Sequence, residues 1–392
     1  MRSGNLLATI MVFGTGIALA VGIAALLQPP VAEAKSYGSR EAVVELGRRL
    51  FMDHTVSRAG QFSCASCHEP EHGFSDPRKV SEDENGKTLR HSQTLIDLKD
   101  GTGFHWDGEF DYLHELLVAR LAPVPEVMAQ TRALVQRHFQ VSQTRGDRPS
   151  EEQYQKKLRE LTPPYYGPDV PSSGTPRPLP QPLVRRLESD GRYDEAFRAA
   201  YGSKEPTTER IVESMKAYML SIQSTPNRHD QYLAGKPEAL TASERRGLRL
   251  FEGKAACAKC HDSRSINGEK PTFTDYAFRN TGVSFQRAKV SYEKGWELDA
   301  GLGAQTFASV DIGRFKVPTL RDVAVRAPYM HDGEFETLEE VVDYYVKGGT
   351  NNGGLDRKIH AFELTKKERA DLVAFLKSLT GTERAGLGKP TK

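Results

Sequence analysis

The four cysteines of this 392-residue chain fall in two copies of one pentapeptide, Cys64-Ala65-Ser66-Cys67-His68 and Cys257-Ala258-Lys259-Cys260-His261. Two thiols three residues apart can reach the two vinyl groups of one porphyrin as thioethers, while the adjoining imidazole reaches the iron. The motifs therefore predict two covalently bound haem c groups, with His68 and His261 as iron ligands. All four thiols are then used, so no disulfide is expected. Two disulfides or a four-ligand zinc site would leave the histidine after each second cysteine to chance. A haem with one protein ligand keeps an axial position for small molecules, whereas a haem with two only passes electrons. What faces His68 and His261 thus decides the chemistry, and nine further histidines and seven methionines leave it open.

The elements that must hold these motifs are repeated. Leu46-Gly47-Arg48-Arg49-Leu50-Phe51 precedes the first motif, and Arg246-Gly247-Leu248-Arg249-Leu250-Phe251 precedes the second. Thr94-Leu95-Ile96-Asp97-Leu98 then matches Thr319-Leu320-Arg321-Asp322-Val323, and Asp107-Gly108-Glu109-Phe110 matches Asp332-Gly333-Glu334-Phe335. Three matched blocks in one order mean a duplicated domain. Helix signals dominate. Thr365 with Glu368 and Thr241 with Glu244 are capping boxes, and Leu372, Phe375, Leu376 and Leu379 recur at helical spacing before Gly381. Ile211, Met215, Tyr218, Met219 and Ile222 mark another helix, and strand signals are weak. The expected fold is all-α, mainly helical with long loops, built as two tandem cytochrome c-like haem domains. Eight prolines between Thr162 and Leu183 mark an irregular insertion over about 145–184, read as a surface loop, with a partner or lid element as the alternative.

The run Leu6–Leu27 is uncharged and apolar, follows Arg2, and precedes Ala32-Glu33-Ala34, the form of a signal peptidase site. Residues 1–34 are read as a signal peptide, or as a retained N-terminal anchor, since 22 apolar residues suffice to span a bilayer. Residues 35–206 would form the first haem domain, 207–384 the second and 385–392 a tail. The expected location is the periplasm. With 54 basic and 52 acidic residues and no long basic run, nothing points to nucleic acid, and a membrane enters only through the N-terminal segment.

Several segments together resemble a known family: Ser63-Cys64-Ala65-Ser66-Cys67-His68, Phe104-His105-Trp106-Asp107-Gly108, Val317-Pro318-Thr319-Leu320-Arg321-Asp322, and Ala327-Pro328-Tyr329-Met330-His331-Asp332-Gly333. They are similar to the bacterial di-haem cytochrome c peroxidases and their protein-modifying relative MauG. The similarity runs from Leu46 to Gly381, the insertion excepted. It implies that the N-terminal haem, on Cys64, Cys67 and His68, reacts with hydrogen peroxide, and that the C-terminal haem, on Cys257, Cys260 and His261, is six-coordinate and passes electrons. The family's sixth ligand stands twelve positions after the glycine of Pro-Tyr-x-His-x-Gly, a methionine in the peroxidases and a tyrosine in MauG. Here it is Tyr345, with Met330 as the alternative ligand. A phenolate there would lower the haem potential.

The histidine that the reductively activated peroxidases carry about sixteen residues after the first motif is missing; Asp83 or Glu84 stands there, and the first haem is expected to be open. His72 is the one nearby imidazole that could fold back onto it. By the same resemblance Trp106 relays electrons between the haems. Glu126 stands where the family has its distal glutamate, able to take a proton from one peroxide oxygen and deliver it to the other. The family's interdomain calcium uses an asparagine at the position of His91 and carbonyls at Arg326 and Pro328. Imidazole is a poor ligand for calcium, so calcium is a weak candidate at this site, with water or a direct His91 contact as its replacement.

The reading is a periplasmic di-haem peroxidase or oxidase acting on hydrogen peroxide, with oxidising equivalents passed through Trp106 and the second haem. They would go to a small redox protein, a cytochrome c or cupredoxin, or to a protein substrate as in MauG. The alternative from another class is a non-catalytic di-haem electron-transfer cytochrome.

Overall fold

The computed structural model describes residues 38–57, 60–83, 86–99, 101–121, 181–264, 269–286 and 298–381. The apolar N-terminal run, Glu84, Glu126 and the insertion up to residue 180 lie outside them. Helices α1 (Arg40–Met52), α2 (Leu113–Leu121), α3 (Gln181–Asp190), α4 (Asp194–Tyr201), α5 (Thr208–Ser221) and α6 (Arg228–Leu233) are followed by α7 (Ala242–Glu252), α8 (Gly303–Thr306), α9 (Leu338–Val346) and α10 (Lys366–Ser378). Sheet among the described residues is limited to two antiparallel ribbons, β1 (Glu82–Asp83) with β2 (Gly86–Lys87), and β3 (Phe278–Asn280) with β4 (Arg314–Lys316). No helix of the described residues is long and apolar enough to cross a membrane.

The helices begin where their caps place them. Thr241 and Thr365 each accept from the backbone N–H three residues on, and Glu244 and Glu368 reach back to the cap N–H, as the capping boxes predict. On α1 the buried residues Val43, Leu46, Gly47, Leu50 and Phe51 share one face, and on α7 Gly247, Leu248 and Phe251 do the same. Each of these helices leads into its cysteine motif and packs against a later helix, α1 on α5 and α7 on α10. Both crossings need a glycine. A Cβ on Gly47 would stand 1.9 Å from the Ser214 carbonyl oxygen, and one on Gly247 would stand 2.0 Å from that of Asp371.

Two cores result. One gathers α1, α2, α3, α4 and α5 around Leu50, Phe51, Phe74 and Phe197. The other gathers α7, α9 and α10 around Phe251, Phe273 and Phe375. The boundary expected between 206 and 207 falls inside the first core, because Ile211, Met215, Tyr218 and Ile222 pack there. As α10 closes the second half, so α5 closes the first. The expected insertion also ends earlier than Val184: α3 starts at Gln181, and Leu183 is buried in the first core. An apolar residue at helical spacing outweighed the neighbouring prolines.

The halves are joined by buried charge. Arg90 bridges Asp107 at 2.8 Å and Asp299 at 2.6 Å, and although burial opposes it, Arg90 holds the Asp299 carboxyl down to about 2. Arg321, fully buried, pairs with Asp97 at 3.2 Å and with Asp230.

Candidate haem centres

Each half builds the setting of its motif histidine by the same devices. Phe74 and Phe273 both take left-handed backbone, at φ 55° and 52°, which turns their carbonyls toward the motif. The Nδ1 of His68 lies 3.2 Å from the Phe74 oxygen and that of His261 lies 2.8 Å from the Phe273 oxygen. A carbonyl only accepts, so each Nδ1 carries the proton and each Nε2 keeps its lone pair for a metal. Burial pushes His68 down to about 4 and lowers His261, keeping both imidazoles neutral. Downstream, Thr94 Oγ1 donates to the Gly73 carbonyl and Thr319 Oγ1 to the Thr272 carbonyl, both at 2.6 Å. Asp97 and Asp322 are again left-handed.

The four cysteines are unbridged. Burial pushes the Cys64 and Cys257 thiols up to about 12 and raises Cys67 and Cys260. These surroundings disfavour the thiolate a zinc site requires and suit uncharged sulfur, as in a thioether. In the second half Cys257, Cys260 and His261 line a cavity whose apolar wall includes Leu320, Val342, Leu372 and Leu376. Paired cysteines, a neutral imidazole and an apolar cavity fit a haem c.

Tyr345 lines this same cavity from α9, and Met330, at φ 73°, lines it from the preceding turn. Burial raises the Tyr345 phenol. Losing its proton here would require a positive charge beside it. Tyr344 is turned away, donating to the Thr281 carbonyl at 2.8 Å.

Trp106 also borders the cavity. It is only 9% exposed, its Nε1 donates to the His91 carbonyl at 2.7 Å, and its own carbonyl accepts from the Lys316 N–H at 2.8 Å, so it touches both halves. The His331 ring lies 6.5 Å from the indole and stacks at 3.7 Å on Phe315. His91 has both ring nitrogens engaged: Nδ1 lies 3.1 Å from the Arg78 carbonyl and Nε2 3.1 Å from Ser75 Oγ. His72 is over a third exposed and stands 3.7 Å from the Glu69 carboxylate. Asp83 lies in β1.

The register of the repeat assigns one more residue. Phe104 bridges Phe110 as Tyr329 bridges Phe335; His105 and Met330 both have positive φ; and α2 starts at Leu113 as α9 starts at Leu338. These pairs share one offset, and at that offset Tyr345 corresponds to Arg120. Sequence reasoning missed Arg120, although the match of Asp107-Gly108-Glu109-Phe110 with Asp332-Gly333-Glu334-Phe335 contains the register that finds it. A guanidinium has donors and no acceptor, so it cannot ligate iron.

The model of the di-haem cytochrome c peroxidase family that includes MauG matches residues 41–238, just over half of the chain. This chain belongs to the di-haem cytochrome c peroxidase family. A cytochrome c model matches residues 244–380. The methylamine utilization protein MauG of Methylorubrum extorquens is 31% identical over 86% of this chain and 77% of its own length. The cytochrome-c peroxidase IdrP1 of a Pseudomonas species is 27% identical over 91% of this chain and 85% of its own. Among solved structures, a MauG-like protein associated with microbial copper homeostasis is similar at a TM-score of 0.64 and 27% identity, over 93% of this chain and 95% of its own. As a family member the chain is a di-haem oxidoreductase, and its two cytochrome c units imply two haem c groups.

Proposed function

We propose that the chain is an exported, periplasmic di-haem peroxidase that reacts with hydrogen peroxide at its first haem centre without prior reduction, in the manner of MauG. The observation that carries this reading is the asymmetry at one repeat position: Tyr345 lines the cavity of the second half, and Arg120 stands at the same position in the first. Cys64 and Cys67 would hold the first haem and Cys257 and Cys260 the second, with His68 and His261 on the irons and Tyr345, rather than Met330, as the second haem's sixth ligand. When bound, a haem supplies the redox-active iron that no side chain of this chain provides.

The residues do the rest. The Phe74 and Phe273 carbonyls keep the imidazoles oriented, and burial keeps them neutral. Trp106, dry and held at its N–H, is an oxidisable ring between the halves, supporting transfer through it. Glu126 is proposed as the acid and base at the peroxide site. His91, with both ring nitrogens engaged, supports a direct protein contact where relatives bind calcium. The equivalents would pass to a small redox protein or to a protein substrate; Tyr345 and the absence of a histidine at 83 or 84 favour the protein substrate.

The test is the optical spectrum of the fully oxidised protein before and after one equivalent of hydrogen peroxide, with no reductant. A prompt change is expected. A spectrum that stays unchanged until an electron is added would contradict the reading. Assays with reduced cytochrome separate the two outlets, since fast peroxide-dependent oxidation would exclude the protein-modifying one.

A further inference from the structure

Arg120 sits near the end of α2, where the repeat places Tyr345 in the other half. Its guanidinium lies 3.4 Å from both ring nitrogens of His105 and 3.8 Å from the Glu109 carboxylate. His105 is fixed in turn by Glu109, 2.9 Å from its Nδ1. His105 is the counterpart of Met330, so His105 and Arg120 together hold the places that Met330 and Tyr345 hold around the second cavity. The guanidinium is 58% exposed, and its only carboxylate among the described residues is at the long end of ion-pair range. Most of its five donors are therefore available to something else.

We propose that Arg120 binds peroxide at the open face of the first haem, its N–H groups donating to a small anion such as hydroperoxide, with His105 and Glu109 positioning it. This rests on the reading above that the first haem is open. Tyrosine closes one centre, and at the same repeat position arginine equips the other for an anionic ligand. Hydrogen bonds from a cation to an anion are about twice as strong as neutral ones.

The experiment uses the oxidised full-length holoprotein and fluoride, a small anionic acceptor that needs no turnover. Fluoride affinity is read from the high-spin absorption of wild type, Arg120→Ala and Arg120→Lys, with haem content measured on each. The alanine variant should bind fluoride about tenfold more weakly or worse, since a hydrogen bond to a charged group is worth about that factor, and lysine should restore part of the loss. An alanine variant with two haems, an intact high-spin signal and fluoride affinity within about twofold of wild type would overturn the proposal. Should alanine disturb haem loading, Arg120→Gln replaces it, with the same tenfold loss expected and the same twofold limit overturning the proposal. A wild-type protein with no high-spin signal and no response to fluoride would instead overturn the open-haem reading, and this proposal with it.

Discussion

The two halves present their motif histidines alike and diverge in what stands opposite. His68 and His261 are both half-buried, both neutral, and both bonded through Nδ1 to a left-handed phenylalanine's carbonyl. The preceding helices cross their partners at Gly47 and Gly247 with nearly the same clearance. Across from this shared base, α9 brings Tyr345 into an apolar cavity, while α2 carries Arg120 at the equivalent place, linked to His105 and Glu109. In the function proposed above one duplicated unit would serve two chemistries: the setting of the motif histidine is kept in each half, and a single position on the following helix would decide whether the protein closes the iron or leaves it to a ligand.

The largest effect that would break this comparison comes from removing one centre at a time. Replacing Cys64 and Cys67 with serine should abolish the peroxide response and the high-spin signal while one low-spin haem remains. The same change at Cys257 and Cys260 should remove the low-spin haem and leave the high-spin one, with haem staining and optical spectra as readouts. If either double variant lost both signals, the halves would not be separable centres.

Next in size, Tyr345→Met should raise the reduction potential of the second haem by on the order of 100 mV, because methionine favours the reduced iron and phenolate the oxidised. Redox titration of the low-spin band measures it, and an unchanged potential would move the ligand to Met330. Trp106→Phe leaves the buried His91 carbonyl without its donor and should cost about 1–3 kcal/mol in denaturant unfolding. It should also slow transfer between the centres in stopped-flow traces.

A smaller, pH-dependent effect distinguishes the second core. His229, 1% exposed among Phe273 and Phe375, is pushed by burial down to about 4 from 6.5. The unfolded chain binds the proton more readily, so this stabilisation is complete above 6.5 and is lost as pH falls toward about 4. Unfolding followed across that window should show a shallower decline in His229→Phe than in wild type. The smallest expected effect is none: dialysis against a chelator should leave both haem spectra unchanged, because His91 is satisfied by Ser75 and Arg78.

Much of this was legible in the sequence because chemistry and punctuation coincide there. The cysteine motifs, the capping boxes at Thr241 and Thr365, and the repeated Gly-containing helices each state a local requirement that the fold honours. The domain boundary was not legible in the same way. The α1–α5 contact is made by residues far apart in the chain, and only the likeness of Ile211–Ile222 to the α10 pattern hints that α5 closes the first half. Arg120 escaped for a related reason: a lone arginine on a helix reads as a solvated charge until the repeat is carried through to Tyr345. His72, the suspect for a hidden ligand, is over a third exposed and stands 3.7 Å from the Glu69 carboxylate. Glu126 lies outside the described residues.

The most direct test of the central claim is low-temperature electron paramagnetic resonance of the resting, fully oxidised protein beside its Tyr345→Phe variant. The account predicts one high-spin and one low-spin ferric haem, with only the low-spin signal altered by the substitution. Two low-spin signals in the wild-type protein, or a change confined to the high-spin signal in the variant, would contradict it.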